Sequence, residues 1–199
     1  MGRQLALQLA ALGAPRLTLF DHDSVGVENL ASQGYWPEDL GSAKVNATGQ
    51  LCRRILPDID LTPIPERFRR SSARVFSNDR DVVVFTAVDS IDSRRLVWEA
   101  IRSMTVLFVD GRMASEVIRV LAVDRPAIDN LYRSTLFEQA DAYVGACTAR
   151  STIYAASIAA GLMIAQFARW LRGVPVVRGQ TLNLLAAELT VDEMATVPA

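Results

Sequence analysis

Asp21, Asp89 and Asp110 each close an apolar run that reads as a β-strand: Arg16–Asp21 (RLTLFD), the VVVFTA stretch from Val82, and Val106–Val109. In open α/β sheets, ligands bind beyond the carboxyl ends of the strands. Three acidic residues at such ends can arise by chance. Together they have the usual geometry for holding ribose hydroxyls and a metal-bound phosphate. Lys44 is the second chemical signal. The chain has 21 Lys and Arg residues, and Lys44 is the only lysine among them. Either it survived by chance, or it marks a place where a compact ammonium is needed instead of a planar fork. Cys147 is the third. It precedes a long helical stretch and has Arg150 nearby, a setting that favours the thiolate, although cysteine is also a common small buried residue. His22, the single histidine, reads as a turn residue.

The elements that would position these groups alternate between strand and helix. Leu5, Leu9 and Leu12 share a helical face that Gly13 is placed to end. Asp23–Gly41 has the Gly, Asn, Ser and Pro content of a long functional loop. A helix is expected over Ser42–Ile55, which puts Lys44 in its first turn, and a weak strand over Leu61–Ile64. The strand from Val82 is followed by a helix whose face is Val97, Ala100, Ile101 and Met104. Val117–Val123 continues antiparallel to the strand before it. A polar helix is expected over Ala127–Gln139, a small-residue helix over Ser151–Leu171 and a last strand over Thr181–Leu189. The fold class is therefore α/β, a Rossmann-like, mostly parallel sheet with helices on both faces. Residues 1–190 form one domain and 191–199 a flexible tail. Trp36, Trp98 and Trp170 are read as core or interface.

A length of 199 residues, half of them apolar, suits one domain with a sizeable core. A net charge of −1 gives no basic footprint for nucleic acid. Two cysteines make neither a disulfide framework nor a tetrathiolate zinc site. The uncharged run Ser151–Ala168 approaches membrane-spanning length, but its many Ala, Ser, Gly and Thr residues suit a helix packed inside protein. A soluble cytoplasmic protein is expected.

DHDSVGVENLASQ (Asp21–Gln33), DLGSAKV (Asp39–Val45) and TAVDSIDSR (Thr86–Arg94) resemble, in order and spacing, the D-x-D-x-V, N-L-x-R-Q, G-x-x-K and D-(x4)-R signature of the ThiF, MoeB and ubiquitin-activating superfamily. The resemblance covers about Gly2 to Leu171. It implies that Asp21 accepts hydrogen bonds from the ATP ribose, that Asn29 and Lys44 contact phosphates, and that Asp89 holds Mg2+. Gln33 matches the family glutamine. Arg94 is either part of this signature or a surface ion-pairing residue, and Asp89 can also serve as an N-cap. Cys147 falls where some relatives carry a cysteine that forms a thioester, persulfide or acyl-disulfide.

The pattern departs from the family at Ser32, where the family has an arginine that helps neutralise the triphosphate. Of the G-x-G-x-x-G phosphate loop only Gly2 is present. The resemblance therefore implies that the first strand and part of that loop are missing. The implied activity is ATP-dependent adenylation of a carboxylate, the C-terminus of a ubiquitin-like or sulfur-carrier protein, in a homodimer. Catalytic roles would fall to Lys44, Asp89 and Cys147, with Gly2, Asp21, Asn29, Gln33 and Lys44 holding the nucleotide. A non-catalytic nucleotide-binding or dimer-scaffold subunit and a NAD- or FAD-dependent oxidoreductase are the alternatives.

Overall fold

The computed structural model describes residues 1–79, 81–137 and 152–192. Helix α1 (Gly2–Ala11) buries Leu5, Ala6, Leu9 and Ala10 and ends where Gly13 adopts φ +83°. Strand β1 (Arg16–Phe20) pairs in parallel with β2 (Asp60–Ile64). Between them lie α2 (Val27–Gln33) and α3 (Lys44–Ile55). The expected loop 23–41 thus contains a short helix. Its start is capped by the Asn29 side chain, which accepts from the Gly26 N–H, and its end by Gly34 at φ +74°.

The second half begins with β3 (Val82–Thr86) and α4 (Ile91–Ile101), then β4 (Thr105–Ala114), β5 (Val117–Asp124), α5 (Ile153–Leu171), β6 (Gly179–Asn183) and β7 (Glu188–Val191). Strands β3 and β4 are parallel, while β4, β5, β6 and β7 are antiparallel neighbours in that order. β1–β2 and β3–β7 are separate sheets. Alternation along β4 and β5 sends side chains to two cores. Leu107, Val109, Ile118 and Val120 pack with α1 and α5 on one face. Phe108, Leu121 and Val123 pack with α4 on the other. Helices therefore cover both faces, as the α/β reading requires.

Helix α5 buries Ala155, Ala156, Ala159 and Ala160, so its small residues bring it close to α1 and to β4. Among the described residues, no helix is long and apolar enough to cross a membrane.

Two expected elements are corrected. In place of a helix over 127–139, the described part forms two short 3-10 turns, Pro126–Ile128 and Tyr132–Thr135. The Asp129 carboxylate accepts the Tyr132 N–H at 2.7 Å and turns the chain so that the Tyr132 ring enters the core against Trp98, 4.4 Å between centroids. In place of one strand over 181–189 there is the β6–β7 hairpin. Asn183 Oδ1 accepts the N–H groups of Leu185 and Ala186, the local turn chemistry expected of Asn.

Trp98 is 1% exposed and meets Phe108 edge-on, whereas Trp36 is 40% exposed. Trp98→Ala should lower the unfolding free energy by about 3–5 kcal/mol in denaturant titration. Trp36→Ala should cost less than about 1 kcal/mol. Equal effects would contradict this assignment of the core.

Candidate functional site

Lys44 is the first residue of α3. Its backbone N–H donates to the Asp23 carbonyl at 2.9 Å, and its Nζ donates to Asp23 Oδ2 at 2.9 Å. The start of α3 is further held by Tyr35, whose hydroxyl lies 3.2 Å from Thr48 Oγ1 and donates to the Lys44 carbonyl at 3.5 Å. Tyr35 is in turn covered by the Arg3 guanidinium, 4.1 Å from the ring centre, which also donates to the Gly34 carbonyl. The cation is thus held at a helix N-terminus, where the helix dipole disfavours it, by a carboxylate that offsets the conflict.

The titration behaviour follows from this pairing. Partial burial works against the Lys44 ammonium, but the Asp23 hydrogen bond and charge, with Asp21 behind them, outweigh it and raise its pKa. The Lys44 hydrogen bond lowers the pKa of Asp23, helped by the charges of His22 and Arg67. Asp21 follows β1 and its Oδ1 accepts the Asp23 N–H at 2.9 Å, which shapes the turn. Donor atoms of Asp21, His22 and Asp23 lie within 4.8 Å of one another. Asp23 is also engaged by Lys44, and His22 Nε2 lies 2.8 Å from an Arg67 nitrogen.

Asp89 follows β3 and is exposed. It is not the cap of α4: Ser90 takes that role, its Oγ accepting the Ser93 N–H at 3.1 Å. Burial pushes the Met1 α-ammonium pKa down, Asp89 pulls it up and Lys44 lowers it further. Both charges therefore act on the start of α1. Gly2, the first residue of α1, has open space where a Cβ would point.

Asn29 is buried, and its side-chain oxygen is committed to Gly26, so only its amide N–H groups remain to offer a phosphate. Gln33 is half-buried at the end of α2. Ser32 Oγ donates to the Glu28 carbonyl of its own helix, so no cation stands at that position. Cys147 lies outside the described residues.

Asp110 does not belong with Asp21 and Asp89. β4 continues past it to Ala114, so it sits in mid-strand at 0% exposure. Its Oδ1 accepts from Arg94 and from Thr86 Oγ1 (2.8 Å); its Oδ2 accepts from Arg112 Nε (2.7 Å) and from the Tyr132 hydroxyl (3.1 Å). A carboxylate so enclosed is not available to a ligand. Burial, followed by the charge of Asp110, raises the Tyr132 pKa, so that phenol stays a donor. Arg94 is correspondingly no surface residue: it is 5% exposed. The sequence signal for this cluster was an acid in an apolar strand with an arginine two residues on, since buried charges must be paired.

The ThiF family model matches residues 1–198. The adenylyltransferase and sulfurtransferase MOCS3 of Sus scrofa is 36% identical over 101 residues, 50% of this chain and 22% of that protein. MOCS3-1 of Zea mays is 32% identical over 98 residues, 49% of this chain and 21% of that protein. Among solved structures, PaaA aligns with a TM-score of 0.75 and 19% identity, covering 96% of this chain and 60% of its own. E. coli MccB with ATP aligns with a TM-score of 0.71 and 12% identity, covering 99% and 62%. The match thus spans about a fifth of the curated relatives' length, and the chain about three fifths of the solved structures'.

The Lys44–Asp23 pair makes a testable electrostatic statement. Asp23, lowered, contributes stability above the ordinary carboxylate value and loses it as pH falls through its folded pKa. Lys44, raised, contributes below the ordinary lysine value and loses it as pH rises through its folded pKa. Asp23→Asn removes the main partner, so Lys44 should carry more free amine at mildly alkaline pH. Acetylation of this sole lysine, followed by peptide mass mapping, should then be faster than in the wild type. An unchanged rate would contradict the pairing.

Proposed function

The chain belongs to the ThiF family, and from that premise we propose that it activates a carboxylate by adenylation with ATP. The observation that carries this reading is Lys44 at the N-terminus of α3, an ammonium paired with the half-exposed Asp23 carboxylate in the turn after β1. Helix N-termini and a lysine ammonium are suited to a polyphosphate. On this reading the triphosphate displaces Asp23 as the counter-ion of Lys44. Asp21, at the end of β1, holds the ribose. Asn29 turns its amide N–H groups to phosphate, and Gln33 and the backbone at Gly2 border the nucleotide. Asp89 offers Mg2+ a hard oxygen donor that helix capping does not claim, and Mg2+ commonly takes one or two carboxylates beside substrate phosphates.

The chemistry is then positioning and charge neutralisation. A carboxylate oxygen attacks the α-phosphorus, the acyl–phosphate bond forms as the bond to the β-phosphate oxygen breaks, and pyrophosphate leaves. Lys44 stabilises the charge that develops on the phosphates. Mg2+, when bound, supplies further neutralisation. The substrate proposed is the C-terminus of a ubiquitin-like or sulfur-carrier protein, acting with a homodimer of this chain. Support comes from MOCS3, named as an adenylyltransferase and sulfurtransferase, and from MccB, solved with MccA. Cys147, as a covalent acceptor of the activated group, is an additional proposal on the same likeness.

One observation favours a second reading, a non-catalytic nucleotide-binding subunit. Ser32 spends its hydroxyl within α2 and leaves no cation where the signature carries one.

Lys44→Ala should weaken ATP binding by about 10- to 100-fold, the loss of a charge-assisted contact, in equilibrium titration. Replacing an exposed arginine such as Arg125 should leave it within about twofold. Asp89→Asn should raise the Mg2+ needed for turnover while nucleotide affinity without metal is kept. Wild-type ATP affinity in Lys44→Ala would overturn the site, and nucleotide binding without any pyrophosphate release would favour the second reading.

A further inference from the structure

The loop that carries Asp89 is suspended from a single buried carboxylate. Thr86, the last residue of β3, donates its hydroxyl to Asp110 Oδ1. Arg94, on the buried side of α4, divides its guanidinium. One nitrogen donates to Asp110 Oδ1 and to the Gly111 carbonyl at 3.0 Å, and the other donates to the Val88 carbonyl. The loop is therefore anchored at Thr86 directly and at Val88 through Arg94.

The peptide unit joining Val88 to Asp89 is planar, so a fixed Val88 carbonyl fixes the direction in which the Asp89 N–Cα bond leaves. Ser90, on the far side, is held as the cap of α4. Asp89 thus stands between two pinned neighbours while its own carboxylate stays exposed. The opposite side of Asp110 is held differently: Arg112 and Tyr132 donate to Oδ2, and Arg112 also ties β4 to the 132–135 turn through the Thr135 carbonyl.

We propose that Arg94, oriented by Asp110, is a positioning residue that aims Asp89 at a divalent cation bound with the nucleotide. This rests on the reading of Asp89 given above. A lysine at position 94 keeps the charge for Asp110, but one ammonium lacks the planar fork that serves Asp110, Gly111 and Val88 together. Groups that orient a ligating carboxylate without touching the metal have effects of about 10- to 100-fold on affinity.

The experiment titrates Mg2+ calorimetrically into the full chain saturated with ATP, for the wild type, Arg94→Lys, Asp89→Asn and Tyr132→Phe. Nucleotide affinity in EDTA and hydrogen–deuterium exchange of the peptide spanning residues 86–90 accompany it. Arg94→Lys should weaken Mg2+ binding by about 10- to 100-fold and speed exchange in 86–90. Its ATP affinity in EDTA should stay within about twofold of wild type. Tyr132→Phe should leave the Mg2+ affinity unchanged. Thr86→Val, a milder cut in the same suspension, should shift it in the same direction by less and decides the matter if Arg94→Lys does not fold. Weak Mg2+ binding in Asp89→Asn with wild-type binding in Arg94→Lys overturns the positioning role alone. Equal weakening in Tyr132→Phe overturns it in favour of general loosening. Wild-type Mg2+ binding in Asp89→Asn overturns the parent reading of Asp89, and the positioning role with it.

Discussion

An ionised carboxylate with no solvent exposure persists only where cations and donors replace its lost hydration. Asp110 therefore dictates the shape of much of the second half of the chain. Its partners come from β3 (Thr86), α4 (Arg94), β4 itself (Arg112) and the 132–135 turn (Tyr132). Each is brought there by apolar packing around it. Phe108 meets Trp98 edge-on and Tyr132 tilts against it, and Leu107 and Val109 face α1 and α5. Removing one member of a buried ion pair typically costs about 3–5 kcal/mol, so the polar node and the apolar layers depend on each other. The loop after β3 inherits its geometry from this node.

A second electrostatic balance governs the front of the molecule. Lys44 occupies the first turn of α3, the least favourable place on a helix for a cation, and Asp23 compensates. The compensation is local and half-exposed, so a more highly charged anion can replace it. The stack of Arg3 on Tyr35 and the Tyr35 contacts with α3 hold the helix start in place independently of Asp23. The two balances divide the labour: Asp110 is locked away from ligands, and Lys44 is left in a pairing that a ligand can break.

Much of this was legible in the sequence where the signal is local. The apolar run at Val82 became a strand covered on both faces, with Val83 and Phe85 in one core and Val84 in the other. The sole lysine falls at a helix start, and the small-residue stretch at Ile153 became a closely packed helix instead of a membrane span. Features that depend on pairing between distant segments were not legible. Nothing near Arg94 announces a carboxylate on the neighbouring strand, so its burial was invisible. Asp110 looked like a strand end because the continuation of β4 through Gly111 and Arg112 is stabilised by β5, not by its own composition. Asp89 and Ser90 both suit an N-cap by type, and only the geometry assigns the cap to Ser90. The sequence of the short α2 reads as loop because the glycines at its two cap positions are also common loop residues.

The proposed adenylation requires that Lys44 bind a triphosphate whose α-phosphorus is attacked by a carboxylate. Isotope exchange between labelled pyrophosphate and ATP reads that step directly, because exchange requires reversible formation of an acyl-adenylate. Assayed with Mg2+ and a panel of ubiquitin-like and sulfur-carrier proteins, exchange should appear only with a carrier bearing a free C-terminal carboxylate, and should vanish in Lys44→Ala. ATP binding without exchange for any carrier, or exchange that survives loss of Lys44, would contradict it.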